Sequence, residues 1–227
     1  MQFKRIKRAI NGVLLLDKPI GLSSNQALQQ VKRLFQAAKA GHTGSLDPLA
    51  TGLLPICFGE ATKFSHFLLN ADKSYRALIK LGSTTTTGDA EGEVLTQAKV
   101  NVTAKALNAA LKKFTGVIEQ VPPMHSALKH QGKALYEYAR AGVDIERTAR
   151  KVTIHEITLN RFEQDEVEVT VSCSKGTYIR TLAEDIGYAL GCGAHLAGLR
   201  RLTSAHFSLE NTFTIEQLEA MTVEQRD

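Results

Sequence analysis

The feature that most restricts the possible folds is a pair of alternating runs at residues 151–162 and 166–173. Successive side chains of a strand point to opposite faces, so apolar residues at every second position mean one buried face and one wet face. Two such runs in succession predict an antiparallel pair. Tyr75, Ala77, Ile79 and Leu81 alternate in the same way and predict another half-buried strand. Short apolar runs at 13–16, 53–58 and 196–202 read as further strands, the first ended by Asp17-Lys18-Pro19. Helix signals lie between them. Ser23 or Ser24 caps a helix reaching about Ala38, with Ala27, Leu28, Val31, Leu34 and Phe35 on one face. Thr103 or Asn101 caps a second helix through Phe114, with Gly116 past its end. Residues 61–69, 135–141, 178–190 and 214–221 also read as helical. The helical spacing of Phe35, Phe64 and Phe67 predicts core positions. Strands in pairs, interspersed with helices, predict an α+β fold rather than a doubly wound parallel sheet.

At 227 residues and 24.8 kDa, 43% hydrophobic and 22% charged, the chain can bury a substantial core as one large domain or two small ones. That excludes a disordered tail, a collagen-like rod and a disulfide-stapled miniprotein. Cys57, Cys173 and Cys192 are odd in number and widely spaced, so they read as reduced thiols in a cytoplasmic protein. The run 13–16 is too short for a secretion signal, and no stretch approaches the roughly 18 apolar residues of a membrane span.

The net charge of +5 is unevenly spread. Residues 1–12 carry Lys4, Arg5, Lys7 and Arg8 with no acid, and the stretch 124–151 is also basic. Residues 202–227 carry −4, which leaves +9 on 1–201. A basic body of that kind suits a polyanionic partner, nucleic acid before a membrane.

Two segments stand out chemically. Gly41-His42-Thr43-Gly44-Ser45-Leu46-Asp47-Pro48-Leu49-Ala50-Thr51-Gly52 packs three glycines and a proline around one carboxylate. It lacks the Lys-Ser/Thr ending of a phosphate loop, and Asp47 reads either as an Asp-Pro turn or as a reactive group. Lys175-Gly176-Thr177-Tyr178-Ile179-Arg180-Thr181 is a polar elbow between a strand and a helix. An arginine at a helix N-terminus opposes the macrodipole, so Arg180 calls for an acidic partner unless it is an ordinary surface arginine. The histidines show no metal-ligand spacing.

These segments together resemble the TruB-type tRNA pseudouridine synthases, which isomerise uridine 55 in the T-loop of tRNA. The matching blocks are Asn11 to Pro19, Gly41 to Gly52, Lys73-Ser74-Tyr75, Ser126-Ala127-Leu128-Lys129, Lys175 to Arg180 and Leu199-Arg200-Arg201, in family order. The resemblance implies a pseudouridine-synthase fold: a central, mainly antiparallel mixed sheet with flanking helices. It also implies an inserted, thumb-like RNA-clamping arm at about 120–151. Breaking the glycosidic bond, rotating the base and rejoining it through carbon loses no atoms and changes no oxidation state, so no metal or organic cofactor is expected. Asp47 is expected to be the nucleophile. Arg180 would pair with it, and Tyr75 would stack on the target base. Tyr178 and Leu199 would wall the uracil pocket, and His42 would occupy the T-loop once the uridine is flipped. Lys18 and Lys129 complete the implied substrate-binding set, Lys18 chiefly as support for the active-site loop. The implied partner is the tRNA T-arm stem-loop, without guide RNA or membrane, bound by a monomer. The alternative from the binding class is a tRNA chaperone that clamps the T-arm.

Three departures from the family pattern stand out. His125 replaces an aromatic before Ser126, the run Thr84 to Thr87 lacks an aspartate, and the chain ends at Asp227, where relatives continue into a PUA domain. The whole chain, 1–227, is therefore expected to be a catalytic domain without the PUA domain.

Overall fold

The computed structural model describes residues 7–221. Lys4 and Arg5 of the basic start, and Glu224, Arg226 and Asp227 of the acidic end, lie outside the described residues. In chain order the elements are β1 (Gly12–Lys18), α1 (Ser24–Leu34), β2 (Ala40–His42), β3 (Ala50–Phe58), α2 (Ser65–Asn70), β4 (Lys73–Leu81), β5 (Ser83–Thr85) and β6 (Val94–Gln97). They continue with α3 (Ala104–Lys113), β7 (Gly116–Gln120), β8 (Lys129–His130), β9 (Lys133–Ala134), α4 (Leu135–Arg140) and β10 (Arg150–Glu163). The last are β11 (Glu166–Cys173), α5 (Ile179–Ala189), β12 (Ala194–Ser204) and α6 (Ile215–Ala220). Antiparallel ladders interspersed with helices make this the α+β fold that the alternation predicts. The chain divides into two compact units, Met1–Lys73 with Arg200–Asp227, and Ser74–Leu199.

In the first unit β1 and β2 both pair antiparallel with β3, from Gly12↔Phe58 to Lys18↔Gly52 and from Ala40↔Phe58 to His42↔Ile56. Ser23 caps α1 through a capping box with Gln26. The apolar face of α1 (Ala27, Leu28, Val31) and the following Phe35 bury against Leu16, Leu54, Ile56 and Phe58, with Ile215 and Leu218 of α6 completing the core. Burying each large side chain there contributes about 1.5–3 kcal/mol. The helix stops four residues short of the predicted Ala38. Gln36 turns into the left-handed region at φ 50°, and its carbonyl accepts from the Arg8 N–H instead.

Phe35 is buried and stacks on Phe58 at 5.1 Å, as its spacing predicts. Phe64 and Phe67 correct the same expectation: they are 63% and 62% exposed and lie against each other, not in the core. They sit on a 3-10 turn and the six-residue α2, which are too short to hold one continuous buried face.

In the second unit the strand order is β12–β4–β11–β10–β7. The two alternating runs form the expected antiparallel hairpin of β10 and β11, with register shifts after Ile154 and Leu159. Val167, Val169, Val171 and Cys173 point inward along β11. Helix α3, capped by Thr103, packs on β10 and α5 through its buried Leu107, Ala110 and Leu111. β7 then pairs with the start of β10, Gln120 opposite Arg150. The basic insertion therefore leaves the sheet and returns to it at facing residues. Within it β8 and β9 form a small hairpin and lead into α4, where Lys133 lies over the Tyr138 ring and Arg140 over Tyr136. Cys57, Cys173 and Cys192 are buried, and none of them forms a disulfide among the described residues. No helix among the described residues is long and apolar enough to cross a membrane.

Candidate active site

Lys18, His42 and Asp47 belong to the first unit, and Tyr75, Lys129, Tyr178, Arg180 and Leu199 to the second. Each group has its own scaffold.

In the first unit the segment around Asp47 is pinned on both sides of the carboxylate. Ser24, in the first turn of α1, donates from Oγ to the Leu46 carbonyl at 3.0 Å and accepts from the Leu46 N–H at 2.7 Å. The Pro48 carbonyl accepts from Gly21, and the Asp47 carbonyl accepts from Ala50 at 3.0 Å. Thr43, fully buried, bonds the Pro55 carbonyl through both its N–H and its hydroxyl. Two of the three glycines adopt the left-handed backbone expected of them, Gly44 at φ 103° and Gly52 at φ 99°. At Gly52 a Cβ would stand 2.3 Å from the Arg201 carbonyl oxygen, so only glycine fits there.

Arg201 itself is 1% exposed and donates to the carbonyls of Leu53 at 2.6 Å and Gly44 at 3.2 Å. Its guanidinium thereby joins the loop to β3. Arg200 instead grips Asp17 with both terminal nitrogens, at 3.0 and 2.6 Å. Lys18 is fully buried and its ammonium donates to the carbonyls of Pro19 and Leu22, holding the turn between β1 and α1. His42 is half-buried, and its Nδ1 has no hydrogen-bond partner among the described residues. Burial, then the Arg201 guanidinium, hold its ring below the ordinary value of 6.5. The imidazole is neutral at physiological pH as a result.

In the second unit Tyr75 is buried on the inward face of β4 with Ala77, Ile79 and Leu81. Leu199 is half-buried on β12 and Lys129 is exposed on β8. Tyr178 is the N-cap residue of α5, and Arg180 lies in that helix's first turn. Arg180 has the acidic partner that its position demands: Asp89 Oδ2 lies 3.3 Å from Nη1, both side chains buried. The same guanidinium donates to the carbonyls of Thr87 at 3.1 Å and His125 at 2.6 Å. Asp89 in turn accepts from the Thr87 hydroxyl at 2.6 Å and the Glu91 N–H at 3.1 Å. A carboxylate so surrounded aligns the fork geometry of the arginine. Glu184, one turn along α5, is raised above its ordinary value, first by burial and then by Asp185.

Several of these groups have a faint sequence signal or none. Arg201 falls within a segment matching the family and Asp89 follows the run Thr84 to Thr87, but nothing in their spacing singles out a buried guanidinium or its acceptors. Ser24 reads only as a helix cap, because its bond to Leu46 spans 22 residues.

A model of the TruB family pseudouridylate synthase N-terminal domain matches residues 32–179, more than half of the chain. The chain belongs to the TruB family of pseudouridylate synthases. As a pseudouridylate synthase it is an isomerase. A model of the tRNA pseudouridylate synthase B C-terminal domain matches residues 180–227. The TruB chain is 73% identical to the tRNA pseudouridine synthase B of Methylobacillus flagellatus over all of its own length and 75% of that protein's. It is 63% identical to the tRNA pseudouridine synthase B of Cupriavidus metallidurans, over 97% of its own length and 71% of the relative's. A chain in the crystal structure of a Cbf5-Nop10-Gar1 complex superposes with a TM-score of 0.73 at 32% identity. That likeness covers 90% of this TruB chain and 52% of the other, and it establishes the pseudouridine-synthase fold.

Proposed function

We propose that this chain is a tRNA pseudouridine synthase that converts uridine 55 of the T-loop to pseudouridine, acting on the T-arm without a guide RNA or a cofactor. The observation that carries the reading is the anchoring of the Asp47 segment, with Leu46 held by Ser24 and Pro48 by Gly21. A nucleophile gains most when its backbone is fixed before the substrate arrives, since the orientation is then prepaid. The 73% identity to a tRNA pseudouridine synthase B supports the choice of tRNA.

In this reading the carboxylate of Asp47 forms the covalent bond that holds the intermediate while the base turns. Arg180, its guanidinium oriented by Asp89, is a further member of the proposed site. Tyr75 stacks on the uracil, with Tyr178 and Leu199 as pocket walls. Extruding the uridine costs a few kcal/mol, offset by stacking in the pocket. His42 takes the place of the flipped uridine in the T-loop. Lys129 and the arm 120–151 contact the RNA backbone, and the chain acts as a monomer composed of a catalytic domain.

The test is pseudouridine mapping on a bare T-arm stem-loop RNA incubated with the chain alone. The wild-type chain converts the loop uridine without added cofactor or second RNA. Asp47→Asn binds the RNA with unchanged affinity and yields no product; substantial turnover by that variant would sink the nucleophile assignment.

A further inference from the structure

Gln120, the last residue of β7, is 2% exposed and engages one residue with both ends of its side-chain amide. Its Oε1 accepts from the Tyr178 N–H at 3.0 Å, and its Nε2 donates to the Tyr178 carbonyl at 3.2 Å. The same carbonyl accepts the first helical bond of α5, from Leu182 at 3.0 Å. Tyr178 carries no side-chain cap of its own helix. Both of its peptide groups are therefore held from outside, 58 residues away in sequence.

We propose that Gln120 is a positioning residue for the isomerisation: its amide fixes the main chain of Tyr178, and thereby the angle at which the tyrosine ring faces the target base. The proposal rests on the reading of Tyr178 as a wall of the uracil pocket. A tyrosine has only two side-chain torsions, so its ring direction follows its backbone closely. At φ −101° and ψ 109° Tyr178 is extended just before a helix begins, where no regular ladder would hold it. A buried amide with donor and acceptor both engaged is a rigid substitute for that ladder.

Gln120 is also the point at which the basic arm departs, opposite Arg150 across the β7–β10 ladder. The carbonyl of His125, five residues into the arm, is held by Arg180. The first stretch of the arm is thus bonded to both Tyr178 and Arg180 at the start of α5. Any displacement of the arm's root would be felt first at the uracil wall.

The experiment compares Gln120→Met, close in volume but unable to make either bond, with Gln120→Glu, which keeps the acceptor for the Tyr178 N–H. Single-turnover rate constants and dissociation constants are measured on a T-arm stem-loop RNA. For Gln120→Met the rate constant falls about 10- to 100-fold, the scale of a misplacement near 1 Å, while RNA affinity stays within about threefold. Gln120→Glu recovers part of that loss. Wild-type rates in both variants, or equal losses of rate and affinity tracking a lowered melting temperature, would overturn the proposal. Should Gln120→Met fail to fold, the same separation of rate from affinity is read from Gln120→Glu. A wild-type chain that leaves the loop uridine unconverted would overturn the proposed function and the clamp together, whereas active wild type with active Gln120 variants overturns the clamp alone.

Discussion

The hydroxyl of Ser24 serves both peptide groups of Leu46, donating to the carbonyl at 3.0 Å and accepting from the N–H at 2.7 Å. One buried side chain on a helix therefore sets the backbone of the residue immediately before Asp47. A loop rich in glycine gains from such an anchor, because its own backbone is the least restricted of any.

Ser24→Ala removes the anchor and leaves a buried donor and a buried acceptor without partners. Leaving such groups unsatisfied costs about 1–3 kcal/mol. Urea unfolding should show a loss in that range, together with a fall in the single-turnover rate on T-arm RNA. Unchanged stability would mean that the loop finds other partners for Leu46.

The pair of Asp89 and Arg180 makes a second prediction. Both side chains are buried, so removing the acid strands a guanidinium in a poorly solvated place. Asp89→Ala should cost about 3–5 kcal/mol, the usual penalty for breaking a buried pair. Asp89→Asn, which can still accept from Thr87 and Glu91, should cost less. Thermal or urea denaturation of both variants measures the difference, and equal losses would show that charge, not geometry, decides.

His42 links stability to pH. Its folded value lies below the ordinary 6.5, so the unfolded chain takes up the proton first as the pH falls. Its contribution is complete above 6.5 and is lost as acid carries the pH down through the folded value. His42→Gln, which cannot titrate, should flatten the decline of the urea midpoint between pH about 7.5 and about 5.5. An identical slope in the variant would remove His42 as a source.

The hairpin of β10 and β11 is legible in the sequence because alternation over many residues is a strong periodic signal, and its observed bounds differ from the expected ones by one residue at each end of β10. The cap of α1 is legible only to within one residue, as Ser23 or Ser24; the structure places it at Ser23, in a capping box with Gln26. β7 is not, since five residues between a helix and two prolines carry too little period to separate from a loop. Ala50-Thr51-Gly52 reads as loop on its glycine, yet it opens β3, because Gly52 pairs with Lys18 and accommodates the Arg201 backbone. Phe64 and Phe67 show the limit of spacing: it says which residues share a face, and only tertiary structure says what, if anything, covers it.

For the candidate site, the asymmetry is similar. Asp47 and Arg180 sit in segments whose composition is locally odd, an acid among glycines and a cation at a helix start. Gln120, Ser24 and Arg201 are ordinary residues in ordinary surroundings. Their roles arise from main-chain groups many residues distant, and no local pattern encodes those.

The basic arm begins after Gln120 and ends before Arg150, and those two residues are rungs of one ladder. Paired strand residues lie only about 5 Å apart, so the sheet presents the same two attachment points whatever chain runs between them. Lengthening a loop between fixed ends costs only about 0.6 kcal/mol per doubling. The arm is thereby modular: its length and charge can change while the register of β7 against β10 stays as it is.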